Sequence, residues 1–230
     1  MSANSHREVW FIRHAESVAN AGGRTREAQS YPLSDLGFLQ AESLARALHV
    51  EPELIVVSPY VRAMQTAEPA VRRFPKARVE EWPVHEVQFL DPALCVDTMQ
   101  HERGELSRDY WKRADPHFAA SGAESFAQFA GRAADAIERL ATRTERRTFI
   151  FSHGQFMSAV AWIIFSRPAL IDAAAMRRYY QFIHGCAVPN CAILPLHFHA
   201  DGSRSLGGLW VPDGIEFESE RCAEPGLAGV

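Results

Sequence analysis

The sequence predicts an α/β protein with three layers, in which helices cover both faces of a mainly parallel sheet. Three short apolar runs, at residues 8–13, 54–58 and 148–152, lack the period-2 alternation of half-exposed strands. Strands that are buried on both faces have this character. Each run is followed by sequence of helical character, and strands that alternate with helices favour a parallel sheet covered by helices.

Two segments between these runs have the spacing of amphipathic helices. The first follows the opening strand and contains Leu36, Leu39, Leu44 and Leu48. Glu124-Ser125 is predicted to start the second helix, because an acidic residue in a first turn suits the helix dipole, and we assign this pair no catalytic role. The apolar stripe of the second helix ends before the third run and comprises Phe126, Phe129, Ala130, Ala133, Ile137 and Leu140.

The rest of the chain predicts additions to a single domain that spans residues 1–230. Residues of about 87–122 form a charged and aromatic segment that we interpret as an insertion near the site. Residues 191–199 and 205–211, separated by the turn signal Asp201-Gly202, predict a late hairpin on the sheet edge. The tail after about residue 220 is rich in Gly, Pro and Ala and is expected to fray.

Composition excludes several classes of protein. A formal charge of −4 argues against a general nucleic-acid binder, for which a basic surface supplies most of the affinity. No apolar stretch is long enough for a membrane span, and the first eight residues lack the apolar core of a signal peptide. The four cysteines form no Cys-x-x-Cys pair, so reduced thiols and a soluble cytoplasmic protein are expected.

Basic and imidazole side chains follow all three predicted strands. Arg13-His14 ends the first run, Ser58-Pro59 and then Arg62 follow the second, and Ser152-His153 ends the third. Open parallel sheets bind ligands beyond the carboxyl ends of their strands. Two arginines and two histidines are therefore expected to converge at one edge of the sheet.

Two helix starts add to this positive edge. Ser58 is a natural N-cap and Pro59 fits a first helical position, so Arg62 is predicted in the first turn, from which its side chain can lean back over the strand end. Gly154 is predicted to begin another helix, whose free amides and dipole favour an anion beside His153. Both features suit a bound phosphate.

Five separated motifs carry a family likeness. They are Arg13-His14-Ala15-Glu16-Ser17 with Asn20, Leu33-Ser34-Asp35-Leu36-Gly37, residues 58–67 (SPYVRAMQTA), Gly122-Ala123-Glu124-Ser125, and Ser152-His153-Gly154. In this order they resemble the histidine phosphatase superfamily, also called phosphoglycerate mutase-like, from the first strand to the late hairpin. The resemblance implies the three-layer fold of that family and no cofactor.

The resemblance also implies roles for individual residues. His14 would be the phosphorylated nucleophile, Arg13, Arg62 and His153 would bind the phosphoryl oxygens, and Asn20 would assist. Glu86, from the stretch Val84-His85-Glu86-Val87, would be the proton donor, with His85 and Glu16 as competing candidates. The family commonly has Gly where this chain has Ala15, which would be strained if the backbone there needs a positive φ.

The chemistry of phosphoryl transfer gives these roles a reason. Catalysis is mostly positioning and electrostatic stabilisation, so two guanidinium groups can replace a metal. His14 should be neutral to attack, whereas a protonated His153 could supply charge and donors. Glu86 should have a raised pKa, because it must donate a proton to the leaving alkoxide and later activate water.

Three functions fit these residues. The first is a metal-independent phosphatase that hydrolyses a phosphate monoester through phosphohistidine. The second is a cofactor-dependent phosphoglycerate mutase, although residues 21–29 (AGGRTREAQ) lack the Arg-Phe-Thr-Gly-Trp-like segment usual in mutases. The third is a non-catalytic module that binds a phosphorylated ligand. A phosphorylated small molecule or phosphopeptide is the expected partner, and the sequence does not indicate an oligomeric state.

Two further groups of residues have weaker functional interpretations. His197 and His199 alternate on a predicted strand, a spacing compatible with a metal, but no third ligand is evident, so no metal site is predicted. A basic cluster in the predicted insertion is either a solvated face or a contact for an acidic part of the substrate. It comprises Arg103, Arg108, Lys112 and Arg113.

Overall fold

The computed structural model describes residues 6–24 and 27–217. Its strands are β1 (Arg7–Arg13), β2 (Leu54–Val57), β3 (Arg78–Glu81), β4 (Arg147–Ser152), β5 (Ile193–Phe198) and β6 (Arg204–Leu206). They form one sheet of order β3-β2-β4-β1-β5-β6. The pairs among β1 to β4 are parallel, whereas β5 and β6 pair antiparallel, so the prediction of a mainly parallel sheet is confirmed.

The helices cover both faces of this sheet. They are α1 (Asp35–Ala47), α2 (Val61–Arg73), α3 (Gly104–Arg113), α4 (Phe126–Ala141), α5 (Gly154–Ser166) and α6 (Ala173–Gly185). One core cluster packs α1 and α2 on one face, and a second packs α3, α4, α5 and α6 on the other. The predicted three-layer α/β/α architecture is confirmed.

The two predicted helices differ in how well their apolar stripes are buried. All six stripe residues of α4 are buried, and Ser125 caps the helix in a reciprocal capping box with Gln128. In α1 the prediction for Leu39 is wrong, since its side chain is 63% exposed. The buried face of α1 includes Gln40, Ala41 and Leu44, which places Leu39 on the opposite side.

Two elements carry no clear pattern in the sequence. Strand β3 reads Arg-Val-Glu-Glu and is mostly exposed, because it is the edge strand of the sheet. Helix α6 begins at the cap residue Asp172, whose side chain accepts from the amide of Ala175 at 2.7 Å. Each element buries only a few side chains or none, so its sequence lacks the apolar pattern from which a strand or helix is predicted.

The late hairpin lies at the sheet edge as predicted, with a shorter second strand. Strand β6 ends at Leu206, and the chain then returns so that Trp210 pairs with Ile193 through an isolated bridge. The predicted tail after about residue 220 lies outside the described residues. Within 6–24 and 27–217, no helix is long and apolar enough to cross a membrane.

Candidate active site

A cavity of about 560 Å³ lies at the carboxyl end of β1, and α2 and the segment after β3 also contribute to its wall. The order β2-β4-β1 places Ser58, His153 and His14 side by side at this edge. The residues predicted from the sequence come together here: His153 lies with its ring centroid 5.1 Å from that of His14, and the cavity wall includes Arg13, His14, Asn20, Arg62 and Glu86.

The His14 imidazole is buried and held in one tautomer. Its Nδ1 lies 2.7 Å from the carbonyl oxygen of Ala15, which can only accept, so Nδ1 carries the proton. Arg62 Nε donates to Nε2 at 3.2 Å, so Nε2 presents a lone pair. Burial, followed by the charges of Arg62 and Arg13, holds the pKa of His14 well below its usual value. The predicted neutral nucleophile is therefore what this geometry provides.

Arg62 is fixed from several sides. Its Nη1 donates to the carbonyl of Ala28 at 2.7 Å. Its guanidinium carbon lies 4.4 Å from the centroid of the Tyr31 ring and 4.9 Å from that of Tyr60. Two aromatic faces and a carbonyl therefore set the plane of the guanidinium beside His14.

The predicted N-cap of this helix is wrong by two residues. Helix α2 begins at Val61, and its cap residue is Tyr60 rather than Ser58, which leaves Arg62 in the first turn as expected. The Ser58 hydroxyl instead lies 2.8 Å from His153 Nε2. Ser58 therefore links the end of β2 to the end of β4.

One buried N–H donor and one buried ring nitrogen around His14 have no hydrogen-bond partner among the described residues. They are Arg13 Nε and His153 Nδ1. Arg13 also donates through Nη1 to the carbonyl of Val188, so its side chain is held in place. A Cβ at position 154 would lie 3.4 Å from Arg13 Nε, and Gly154 lets the guanidinium lie against the start of α5. Buried donors of this kind normally find an acceptor.

The protonation state predicted for His153 is wrong for the protein alone. Burial, followed by the charge of Arg62, holds the pKa of His153 well below its usual value, so this ring is neutral as well. In the tautomer with the proton on Nδ1, Nε2 accepts from the Ser58 hydroxyl and Nδ1–H has no partner among the described residues. In that tautomer the neutral His153 offers a dipolar donor, and the positive charge of the site comes from the arginines.

Glu86 occupies the N-terminus of α5. Its carboxylate accepts from the amides of Gln155 and Phe156, both at 3.2 Å, and from that of Val87 at 3.3 Å. The amides that the sequence predicted to be free for an anion are therefore bound to a carboxylate of the chain itself. Burial nevertheless raises the pKa of Glu86, against the lowering effect of the Gln155 amide and of Arg62.

The two competing proton donors lie away from the cavity wall. The Glu16 carboxylate accepts from the hydroxyl of Ser34 at 2.7 Å, at the N-terminus of α1. His85 stacks on Tyr60 with ring centroids 5.2 Å apart, and burial, Arg132 and Arg62 lower its pKa to about 4. Neither side chain is a wall residue of the cavity. The geometry favours Glu86.

Asn20 lies in the loop after β1, and its amide oxygen accepts three hydrogen bonds. The donors are the backbone N and the hydroxyl of Ser17, at 3.2 and 3.0 Å, and Nδ2 of Asn190 at 3.2 Å. Asn190 also donates to the carbonyl of His14 at 2.9 Å. Sequence reasoning missed Asn190, which lies 170 residues further along the chain and stands in no motif that we recognised.

Ala15, the departure from the family pattern, is unstrained. The non-glycine residues with positive φ in the described chain are Asp97, Ala114, Arg167 and Cys191, and Ala15 is not among them. Its amide donates to Thr66 Oγ1 at 3.0 Å, and its small side chain is fully buried. The methyl group therefore fits the site.

The basic cluster and the histidine pair, whose functional interpretations from the sequence were weaker, differ in their positions. Within the basic cluster, Arg103 lines the cavity, whereas Arg108, Lys112 and Arg113 do not. His197 and His199 are joined by His6, whose ring centroid lies 5.1 Å from that of His197 and 5.5 Å from that of His199. Even so, the described part of the chain holds no group of three His, Cys, Asp or Glu side chains arranged to bind a metal ion.

A family model and known proteins match this fold and site. Residues 9–206 match the model of the histidine phosphatase superfamily (branch 1), and the chain belongs to this superfamily. The resemblance noted from the five motifs is thereby confirmed.

Two relatives are each 28% identical to the chain over the aligned residues. The metal-independent phosphoserine phosphatase of Arabidopsis thaliana aligns over 66% of this chain and 66% of its own length. The chain thus spans about two thirds of that protein. The adenosylcobalamin/alpha-ribazole phosphatase of Escherichia coli aligns over 70% of this chain and 80% of its own length.

Solved structures of low sequence identity share the fold. A putative alpha-ribazole-5'-P phosphatase from Escherichia coli superposes with a TM-score of 0.69 at 22% identity, covering 93% of this chain and 99% of that one. A mycobacterial glucosyl-3-phosphoglycerate phosphatase superposes with a TM-score of 0.66 at 21% identity, covering 87% and 97%. These neighbours show the α/β architecture of the family.

Proposed function

We propose that the protein is a metal-independent phosphatase that hydrolyses phosphate monoesters through a phosphohistidine at His14. Membership of the histidine phosphatase superfamily supports the reaction class, and the metal-independent phosphatase among the relatives supports the absence of a metal. The observation that carries the proposal is local. A neutral imidazole presents a lone pair beside two arginines, and the buried Arg13 Nε and His153 Nδ1 have no partner among the described residues.

In the first step His14 Nε2 attacks phosphorus and the bond from phosphorus to the leaving oxygen breaks. The protonated form of Glu86, which burial favours by raising its pKa, donates its proton to that oxygen. Arg13 Nε, Arg62 and His153 Nδ1–H donate to the phosphoryl oxygens as their charge develops. When the Nε2 lone pair forms the bond to phosphorus, the hydrogen bond from Arg62 Nε to Nε2 breaks. The Arg62 guanidinium can then donate to the phosphoryl group.

In the second step the ionised Glu86 takes a proton from water, whose oxygen attacks phosphorus. The bond from phosphorus to Nε2 breaks, inorganic phosphate leaves, and His14 returns to its neutral tautomer. The amides of Gln155, Phe156 and Val87 stabilise the carboxylate during the interval in which it is charged. Glu86 therefore acts as acid and then as base.

The proposal is tested by quenching the enzyme during turnover of a ³²P-labelled monoester. Acid-labile, alkali-stable label on the protein is expected, and His14→Ala should abolish both the label and phosphate release. The matched control is His49→Ala, an exposed histidine outside the cavity. Release of phosphate by the His14 variant at the normal rate would refute the mechanism. Return of the label to a second hydroxyl instead of water would indicate a mutase.

We also propose that the protein acts in the cytoplasm on small phosphorylated molecules. Cys186 and Cys191 form no disulfide within residues 6–24 and 27–217, which suits a reducing compartment. The relatives are named for phosphorylated metabolites, which supports a small phosphorylated substrate in preference to a phosphopeptide. Fractionation of cells with an antibody against the chain tests the compartment.

A further inference from the structure

One side of the cavity beyond the phosphate-binding end is a strip of apolar side chains. It is formed by the segment after Glu86, which carries Val87, Phe89, Leu90, Pro92, Ala93 and Val96. Val96 stands at this wall with 51% of its surface exposed. An exposed apolar wall gains free energy when a ligand covers it, because apolar surface leaves water.

The cavity wall beyond the phosphate-binding end carries one acidic and one basic side chain. Glu27 and Arg103 are the charged residues of the outer wall among the described lining residues, and their signs are opposite. Arg103 is also engaged within its own segment, where it donates to Thr98 Oγ1 at 3.3 Å and interacts with the thiol of Cys95. A carboxylate on the leaving group would therefore meet one engaged cation and one like charge.

The size of the cavity sets a third condition. Its volume of about 560 Å³ lies within the range of roughly 300–1,000 Å³ that encloses a drug-sized ligand. A phosphoryl group with a three-carbon alcohol would leave most of the apolar wall uncovered. The cavity fits a larger leaving group that carries a ring.

From these three conditions, and resting on the proposed phosphatase function, we infer that the substrate is a phosphate monoester of an uncharged alcohol that bears a ring. The phosphoryl group would lie among Arg13, His14 and Arg62, and the ring would cover Leu90 and Val96. The segment 87–103 then selects the leaving group, while the strand ends carry out the chemistry.

A matched series of alkyl esters tests this inference, since equal leaving-group basicity isolates recognition from chemistry. The series is propyl, 3-phenylpropyl and 3-carboxypropyl phosphate, compared by kcat/KM. We expect the phenyl ester to exceed the propyl ester by roughly 10- to 100-fold, the factor that burial of a phenyl ring provides. The carboxypropyl ester should not exceed the propyl ester.

Two variants with equally exposed side chains locate the effect. Val96→Asp places a charge on the cavity wall, whereas Leu94→Asp places it two residues away, at a side chain that is 54% exposed and outside the wall. The first should lower the preference for the phenyl ester about tenfold, and the second should leave it unchanged. Equal turnover of all three esters, or a preference for the carboxylate, would overturn the inference while leaving the phosphatase intact. Failure to turn over any ester would instead count against the proposed function.

A separate observation concerns Asn190, in the loop before β5. Its Nδ2 donates to the carbonyl of His14 and to the amide oxygen of Asn20. The backbone N–H of Ser17 can only donate, and its bond to Asn20 Oδ1 fixes which end of the Asn20 amide faces this network. The NH₂ end of Asn20 is then left for the cavity that Asn20 lines.

We infer that Asn190 is a positioning residue that aims the Asn20 amide and holds the backbone of the nucleophile. Asn190→Ala and Asn20→Ala should each lower kcat/KM about tenfold, the upper end of the range for loss of one hydrogen bond. Because Asn190 acts partly through Asn20, the double variant should lose much less than the hundredfold product of the two. If Asn190 had a purely structural role, its loss would lower the melting temperature and the effects of the two substitutions on kcat/KM would multiply. Either that result or a wild-type kcat/KM in Asn190→Ala would overturn the assignment.

Discussion

Glu86→Gln separates the two half-reactions and offers the sharpest test of the site. An alkyl phosphate releases a strongly basic alkoxide that must be protonated as the bond breaks, whereas p-nitrophenolate leaves without that help. Loss of the acid should therefore slow alkyl esters by roughly 10²–10⁴-fold, the usual range for general acid catalysis. Formation of phospho-His14 from p-nitrophenyl phosphate should be much less affected.

The structure also predicts a cost in stability for this variant. Three backbone amides donate to the two oxygens of the carboxylate. A glutamine keeps one oxygen and turns its NH₂ group toward one or more of these donors, so a buried N–H loses its acceptor. The free energy of unfolding should fall by about 1–3 kcal/mol. Equilibrium urea unfolding of the variant measures this loss and shows that the folded enzyme is being assayed.

Rapid-quench labelling of the protein measures the second half-reaction, in which phosphohistidine is hydrolysed. Without a base to activate water, the Glu86 variant should accumulate phosphohistidine from p-nitrophenyl phosphate. Glu16→Gln is the matched control, because Glu16 bonds to the hydroxyl of Ser34 and stands outside the cavity wall. This control should turn over at the wild-type rate. If Glu86→Gln slowed both leaving groups equally without an adduct, the reasoning about Glu86 would be refuted, and a slow Glu16 variant would identify the alternative acid.

Three further predictions follow from the geometry. Arg62→Lys should lower kcat by roughly 10²–10³-fold, as loss of one oxyanion donor does. The reason is that a lysine ammonium cannot replace the Nε donor or the planar guanidinium beside Tyr31 and Tyr60. A wild-type kcat in the lysine variant would contradict this prediction. Incubation with EDTA should leave the rate unchanged, and loss of activity that a divalent cation restores would exclude the mechanism. Because the pKa of His14 lies well below 6.5, the ring-proton NMR signal of His14 in the free enzyme should not titrate at pH 6.5; a midpoint at pH 6.5 would show an unperturbed imidazole.

The same pKa shifts predict how stability depends on pH. His14 and His153 stay neutral in the folded protein at pH values at which the unfolded chain, with a pKa of about 6.5, already binds protons. The unfolded state therefore gains protons first, and the free energy of unfolding should fall as pH drops below 6.5. The raised pKa of Glu86 acts in the opposite sense above its unfolded value of 4.5, since the ionised unfolded form is then favoured. Denaturant unfolding at pH 5.5 and 7 measures the net slope, and higher stability at pH 5.5 would contradict the dominance of the histidines.

Much of this protein follows from its sequence alone. Uninterrupted apolar runs predicted the buried parallel strands, because only a strand covered on both faces lacks polar alternation. The residues after those runs predicted the site, because parallel strands end at one edge of the sheet. His14, Arg13, Arg62 and His153 were predicted on that ground; the first three line the cavity, and His153 is buried beside His14.

Other features depend on contacts between segments far apart in the chain. The sequence could not show that Ser58 bonds to His153 rather than capping α2, since that bond needs β2 and β4 to be neighbours. Burial decided that His153 is neutral, and burial is a property of the packed state. The amides at the start of α5 were expected to bind a substrate anion, and only the path of the chain at Glu86 assigns them to a carboxylate of the protein. Asn190 reaches His14 because β5 pairs with β1, a register that no local pattern encodes.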